Sequence, residues 1–175
     1  MPEVRVTHTA GLSAGELSLI RALLYDVFDD LTEDDYEHSL GGMHALVWDG
    51  SELIAHGSVV MRRLMHDGRS LRTGYVEGVA VRAGRQRRGH GAAVMTELER
   101  IIHRAYELGA LGSTDDAAEF YAARGWQKWS GTASVITPNG KQRTQEEEGW
   151  IYLLPVVEPI THGDLACDWR GGDVW

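Results

Sequence analysis

The stretch that decides the fold is Val79-Ala-Val-Arg-Ala-Gly-Arg-Gln-Arg-Arg-Gly-His-Gly91, where a strand pattern gives way to a glycine-containing loop. Glycines at positions 89 and 91 let main-chain N–H groups converge without obstruction by Cβ atoms. A helical pattern begins at Gly91, so these donors lie at a helix N-terminus, where the macrodipole favours an anion. Local positive charge comes from Arg85, Arg87, Arg88 and His90. The loop therefore predicts a pyrophosphate ligand.

Two other phosphate-binding motifs fit this loop less well. A Rossmann site requires Gly-x-Gly-x-x-Gly early in the fold, whereas this loop lies in the middle of the chain after several strands. A Walker A loop requires Gly-Lys-Ser/Thr, which is absent from the sequence around residues 82–91. A basic surface loop with glycine turns and no ligand is the structural alternative.

The elements on both sides of the loop predict one mixed α/β domain over residues 1–175. Before the loop, apolar spacing predicts a helix over 16–31, and Thr32 is a candidate N-cap for a shorter second helix. Predicted strands cover His44–Trp48, Leu53–Leu64 and Leu71–Val81. After the loop we expect a helix from Gly91 through Leu108 that ends at Gly109, a strand over Ala110–Ser113, a helix over Asp115–Arg124, and strands over 126–136 and 149–157.

Composition limits the class of protein. The chain of 175 residues is 43% hydrophobic and 25% charged, which is typical of a soluble globular domain. No apolar run approaches the roughly 18 residues of a membrane span. The start MPEVRVTHTAG has no apolar signal region, and Cys167 is the single cysteine, so we expect a cytoplasmic protein. The net charge of −9 argues against nucleic acid and favours a cationic partner. The eight histidines show no metal-ligand spacing, so we expect no metal.

The loop resembles motif A of the GCN5-related N-acetyltransferases (GNAT), whose pattern is Gln/Arg-x-x-Gly-x-Gly/Ala. The segment Glu119-Phe-Tyr-Ala-Ala-Arg-Gly-Trp126 resembles motif B of the same superfamily. Blocks spread over nearly the whole chain are similar to the aminoglycoside 2′-N-acetyltransferases: His38–Ala45, Gly74–Arg82, Tyr106–Leu111 and Cys167–Trp175. The last of these blocks is not a general acetyltransferase feature, so the resemblance is specific.

The resemblance implies the GNAT fold, a mixed and strongly twisted sheet flanked by helices, and acetyl-CoA as the acyl donor. It also suggests a homodimer. The residues that it assigns to coenzyme A are Val79, Ala80, Val81, Gln86, Arg87, Arg88, Gly89, His90, Gly91, Ala92, Ala117 and Tyr121. The N–H of Val79 would stabilise the negative charge that develops on the thioester oxygen.

Three residues are candidates for catalysis. An amine arrives mostly as ammonium, and Glu77 would take its proton, through a water. Tyr121 would protonate the departing thiolate, and the main-chain carboxylate of Trp175 would bind or help deprotonate the amine. The structural alternatives are a Glu77 paired with Arg62 or Arg82, and a Tyr121 that is half-buried packing on an amphipathic helix.

A polyamine acceptor requires a site rich in carboxylates. By resemblance, the acceptor positions are Asp30, Asp35, Glu77, Gly78, Gly112, Glu146, Glu147, Asp173 and Trp175. Gly112 stands where relatives carry a serine or similar polar residue, and Glu146 and Glu147 replace aspartates of some relatives. The expected reaction is direct transfer, in a ternary complex, to the 2′-amino group of an aminoglycoside, which confers resistance. The alternatives are another polyamine or cell-envelope amine as acceptor, and an acyl-CoA-binding module without turnover.

Overall fold

The structure is a computed structural model that describes residues 1–175, and the chain divides into two compact units. The first unit comprises Met1–Val60 and Val76–Ile101, and the second comprises Met61–Tyr75 and Ile102–Trp175. No helix in the structure combines the length and the apolar character that crossing a membrane would require.

The first unit contains an antiparallel arrangement of β1 (Glu3–His8), β2 (Met43–Asp49) and the first part of β3 (Glu52–His66). The end of β4 (Arg69–Val81) also belongs to it. Its helices are α1 (Ala14–Val27), α2 (Glu33–His38) and most of α3 (His90–Ala105). The turn between β2 and β3 falls at the predicted Asp49-Gly50, where Gly50 has a φ of 60°.

The core of the first unit is built on α1. Its buried members are Ile20, Leu23, Leu24, Tyr36, Leu46, Leu53 and Ala80. The predicted N-cap at Thr32 is confirmed, since its hydroxyl accepts from the N–H of Asp35. The predicted helix over 16–31 is too long, because α1 ends at Val27. Phe28 and Leu31 continue the apolar spacing and pack on the same core without being helical.

The second unit contains the rest of β3 and β4 together with six further strands. These are β5 (Leu108–Gly112), β6 (Gln127–Lys128), β7 (Thr132–Thr137), β8 (Gly140–Arg143), β9 (Ile151–Pro155) and β10 (Asp164–Asp168). Their order is β6-β9-β5-β4-β3-β10-β7-β8. The β4–β5 and β10–β7 pairs are parallel and the β5–β9 and β7–β8 pairs are antiparallel, so the predicted mixed α/β class is confirmed.

Several predicted boundaries in the second half of the chain differ from those in the structure. The strand predicted over Ala110–Ser113 is β5, Leu108–Gly112, and the strand predicted over 149–157 is β9, Ile151–Pro155. Helix α3 ends at Ala105, and Gly109 is a residue of β5 paired with Leu154 rather than a helix terminator. The predicted strand over 126–136 is two strands, β6 and β7. The predicted helix over Asp115–Arg124 begins as a 3₁₀ turn at Asp115–Ala117 and continues as α4 (Ala118–Ala123).

Candidate active site

The loop between β4 and α3 has the backbone conformation of an anion cradle. Gly84, Arg87 and Gly89 have φ values of 79°, 59° and 84°, in the left-handed region. Residues of alternating handedness turn successive N–H groups toward a common side, which makes a concavity for anions. The N–H of Ala93 bonds to the Gly89 carbonyl at 2.9 Å, and the N–H groups of residues 90–92 precede this first helical bond.

Two arginines tie this loop to the turn between β2 and β3. Arg85 Nη1 lies 2.9 Å from Asp49 Oδ2 and its Nη2 lies 2.6 Å from Glu52 Oε2. Arg82 donates to the Leu53 carbonyl at 3.1 and 3.0 Å. The sequence predicted that Arg85 adds positive charge to the cradle, but these two ion pairs neutralise it. Arg87 and Arg88 are exposed.

Substitution of Gly89 by alanine tests the cradle. No atom lies within 4 Å of the position a Cβ would take, so the cost comes from the left-handed backbone alone. We expect a loss of stability of about 1–2 kcal/mol and a rise of about tenfold in the Kd of acetyl-CoA, measured by calorimetry. Gly50→Ala is the matched control, since Gly50 has the same strain and open surroundings in the β2–β3 turn. An equal rise in Kd for both variants would contradict the assignment.

The end of β4 carries Glu77 and Gly78. Glu77 is half-buried, and its carbonyl lies 3.5 Å from the Ser58 hydroxyl. Gly78 has a φ of 59°, and its carbonyl lies 2.8 Å from His56 Nδ1. Glycine is favoured here because L side chains rarely adopt this conformation.

The two aspartates implied for the acceptor differ in their surroundings. Asp30 is exposed between α1 and α2. Asp35 Oδ2 accepts from both the N–H and the hydroxyl of Thr32 at 2.8 Å. Asp35 therefore stabilises the start of α2, a local role that its sequence position also allows.

In the second unit, two hydrogen bonds from Trp175 hold the C-terminal end of the chain in place. Trp175 is 6% exposed, and its Nε1 donates to Thr144 Oγ1 at 2.9 Å. The Trp175 N–H donates to Asp173 Oδ1 at 3.2 Å. A Cβ at Gly112 would lie 3.6 Å from Tyr75 Oη and 3.8 Å from the main-chain carbonyl carbon of Trp175. The segment thus brings the Trp175 main chain beside Gly112.

The three consecutive glutamates have different environments. Burial, followed by the charges of Asp173 and Glu146, raises the pKa of Glu147. Glu148 instead forms a two-point ion pair with Arg143, at 2.8 and 3.0 Å, which lowers its pKa. Glu146, Glu147 and Asp173 therefore form an acidic cluster, while Glu148 is neutralised.

Substitution of Glu147 by glutamine tests the acidic cluster. The pKa of Glu147 is raised in the folded protein, so the folded state binds more protons than the unfolded state in the pH range between the two pKa values. The free energy of unfolding therefore falls as pH rises through that range. Glu147→Gln is therefore expected to raise Tm by about 1 °C or more at neutral pH and to raise the KM of a polycationic acceptor. Glu148→Gln, which breaks an ion pair, is expected to lower Tm. A lower Tm in both variants would contradict the claim that the charged Glu147 carboxylate destabilises the fold.

Tyr121 and Ala117 lie in the motif B segment. Tyr121 on α4 is 7% exposed, with ring centroids of Phe120 at 5.1 Å, Tyr152 at 5.9 Å and Trp126 at 6.1 Å. Ala117 is half-buried at the start of α4. The structure thus shows Tyr121 packed among aromatic rings, as the structural alternative expected. The catalytic role implied by the resemblance stays a prediction.

One buried pair, His44 and His56, was missed from the sequence, where these two histidines were considered only as metal ligands. His44 Nδ1 and His56 Nε2 lie 2.9 Å apart with no exposed surface. Their places in the predicted β2–β3 hairpin could have indicated this contact. His44 pairs with Ser58 and His56 pairs with Leu46, so the two histidines are diagonal neighbours on one face of the sheet. The structure contains no group of three or more His, Cys, Asp or Glu residues that could hold a metal ion.

Comparison with known proteins identifies the class. Residues 17–126 match the acetyltransferase (GNAT) family, and the chain belongs to this family. Over 177 aligned residues it is 42% identical to the aminoglycoside 2′-N-acetyltransferase of Mycolicibacterium fortuitum, covering 98% of this chain and 91% of that protein.

Solved structures support the fold. ElaA of Escherichia coli superposes with a TM-score of 0.61 at 21% identity, covering 87% of this chain and 99% of that one. The ribosomal-protein-S18-alanine N-acetyltransferase of Escherichia coli gives a TM-score of 0.61 at 14% identity, with coverages of 90% and 97%. The GNAT fold expected from the sequence is thereby confirmed.

Proposed function

We propose that this protein transfers the acetyl group of acetyl-CoA to the 2′-amino group of aminoglycosides and so confers resistance. The observation that carries the proposal is the 42% identity, over 98% of the chain, to an aminoglycoside 2′-N-acetyltransferase. Residues 1–175 act as one catalytic domain of a cytoplasmic homodimer that uses no metal. Its partners are acetyl-CoA and a cationic drug, not nucleic acid or a membrane.

The anion cradle is the proposed site for the coenzyme A pyrophosphate. Its left-handed positions and the amides at the start of α3 suit a doubly charged anion, and Arg87 and Arg88 add charge. Gln86, Gly89, His90, Gly91 and Ala92 complete this set. The main chain of Val79–Val81 would hold the pantetheine arm, with Ala117 and Tyr121 as further contacts.

The proposed reaction is direct. Glu77, through a water, takes one proton from the substrate ammonium, and the free amine attacks the thioester carbon. The carbonyl oxygen becomes negative and is stabilised by the N–H of Val79. The C–S bond then breaks and the thiolate takes a proton from Tyr121. The nitrogen releases its second proton to solvent, and solvent returns a proton to the Tyr121 phenolate. An acyl-enzyme on Cys167 is disfavoured, because burial raises the pKa of its thiol to about 11.

Carboxylates are the proposed contacts of the polycationic acceptor. By the family resemblance, these carboxylates are those of Asp30, Asp35 and Glu77 and those of the acidic cluster. The main-chain oxygen of Trp175, beside Gly112, accepts from a substrate amine. Gly78 is a further acceptor contact. Because glycine replaces a serine-like residue at position 112, one hydroxyl contact to the drug is absent, which changes the preference among acceptors.

Free-thiol release from acetyl-CoA with two matched drugs tests the function. Tobramycin has an amino group at the 2′ position, whereas kanamycin A has a hydroxyl group there. We expect release with tobramycin only. Release with both drugs would support acetyltransferase activity but would show that an amine other than the 2′-amino group is acetylated. Release with neither would favour another amine as acceptor, or a binding module without turnover.

A further inference from the structure

A chain of hydrogen bonds crosses the interior of the first unit and ends at the Gly78 carbonyl. The N–H of Gly41 donates to Thr9 Oγ1 at 2.8 Å, and Thr9 Oγ1 lies 2.7 Å from His44 Nε2. His44 Nδ1 lies 2.9 Å from His56 Nε2, and His56 Nδ1 lies 2.8 Å from Gly78 O. Neither imidazole has exposed surface, and neither has a part in the reaction described above.

The direction of this chain follows from its last acceptor. A carbonyl oxygen can only accept, so His56 Nδ1 carries a proton and donates it to Gly78. In a neutral His56, Nε2 then accepts from His44 Nδ1–H, and His44 Nε2 accepts from the Thr9 hydroxyl. The reverse direction would require a doubly protonated His56. Burial lowers the pKa of His56 to about 3 and that of His44 to about 4, so both rings are neutral near pH 7.

The hydrogen bond from His56 fixes a peptide group with an unusual orientation. Gly78 has a φ of 59°, outside the extended range of a regular strand. No peptide bond in the chain is cis, so the C=O of Gly78 and the N–H of Val79 point in opposite directions. Gly78 also packs on the ring, since a Cβ at this position would lie 3.4 Å from His56 Cε1. Holding the carbonyl therefore sets the direction of the Val79 N–H.

We propose that His44 and His56 are positioning residues that hold the Gly78–Val79 peptide so that its N–H meets the thioester oxygen. The inference rests on the proposed function for the role of Val79, but not on which amine is the acceptor. A hydrogen bond to the carbonyl also polarises the peptide and strengthens its N–H as a donor. The oxygen gains its charge only during the attack, so the effect falls on kcat rather than on ground-state binding.

Two substitutions of His56 separate the hydrogen bond from the bulk of the ring. His56→Leu removes the donor, whereas His56→Asn keeps an N–H at the δ position. For His56→Leu we expect kcat to fall about 10- to 100-fold, less than the loss of an oxyanion donor outright. Both KM values are expected to stay within about threefold, and His56→Asn to recover kcat to within about fivefold of the wild type. An unchanged kcat in His56→Leu would overturn the proposal.

A packing control distinguishes positioning from stability. Leu23 is buried on α1 in the core of the same unit and takes no part in the chain. Leu23→Ala is expected to lower Tm at least as much as His56→Leu and to leave kcat unchanged. If the two variants lowered kcat equally at matched loss of Tm, the histidine chain would be structural only.

A measurement on the wild-type protein tests the chain without any assay of activity. Proton–nitrogen correlation spectra of ¹⁵N-histidine-labelled protein distinguish the two neutral tautomers. Both His44 and His56 are expected to carry the proton on Nδ1, and an Nε2–H tautomer for either ring would overturn the proposal, even if the leucine variant did not fold. A wild type that releases no thiol with any aminoglycoside refutes the proposed acceptor, whereas the tautomers still test the histidine chain.

Discussion

Replacement of Glu77 by glutamine is expected to lower kcat by about 10²- to 10³-fold, because the substrate ammonium loses the group that accepts its proton. Glutamine keeps the size of the side chain but cannot serve as a base. The Kd of acetyl-CoA, measured by calorimetry, is expected to change by less than about twofold, since the proposed pyrophosphate contacts lie in the loop over residues 86–92.

The matched control for this variant is Glu158→Gln, which removes an equal charge from an exposed position with no proposed role. It is expected to retain the wild-type kcat. A Glu77→Gln enzyme with wild-type turnover would show that the base is another group. A loss of acetyl-CoA affinity equal to the loss of rate would show that Glu77 acts on the donor instead.

Deletion of Val174 and Trp175 is the change with the second large effect. We expect the KM of tobramycin to rise at least about tenfold and the KM of acetyl-CoA to change by less than about threefold. The reason is that the deletion removes the main-chain oxygen of Trp175 beside Gly112 and releases Asp173, whose carboxylate is held by the Trp175 N–H. Steady-state kinetics with each substrate varied in turn measure both values.

Trp175→Phe is the control for the packing of the segment. It removes the bond from Nε1 to Thr144 but retains an aromatic ring and the main-chain oxygen. Its KM for tobramycin is expected to stay within about threefold of the wild type. Equal losses of affinity for tobramycin and acetyl-CoA in the deletion variant would mean that the segment is structural and does not bind the acceptor.

The fold class could be predicted from the sequence because the loop over residues 79–91 joins a strand pattern to a helix pattern. The helix boundaries could not be predicted as well. The apolar spacing of α3 continues through Leu108, but Glu107 accepts a bond from the Arg72 N–H, and this tertiary contact lies outside the helix. The short strands β1, β8 and β10 were missed, since β8 has no buried residue and β10 is defined by its pairing with β3 and β7.

In the candidate site, too, local motifs could be predicted from the sequence and tertiary contacts could not. The glycine motif was visible from its spacing, and the left-handed φ at Gly89 agrees with that interpretation. The acidic residues of the acceptor site were assigned by the family resemblance. The neutralisation of Arg85 by Asp49 and Glu52 depends on residues more than 30 positions away, so no local pattern could indicate it. The His44–His56 contact likewise depends on the register of β2 and β3.

The most direct test of the account is the position of the acetyl group in the product. In this test the wild-type protein is incubated with tobramycin and acetyl-CoA, and two-dimensional NMR of any purified product shows which nitrogen has become an amide. The account predicts a single product acetylated at the 2′ nitrogen. Acetylation at any other amine, or a mixture of positions, would contradict it.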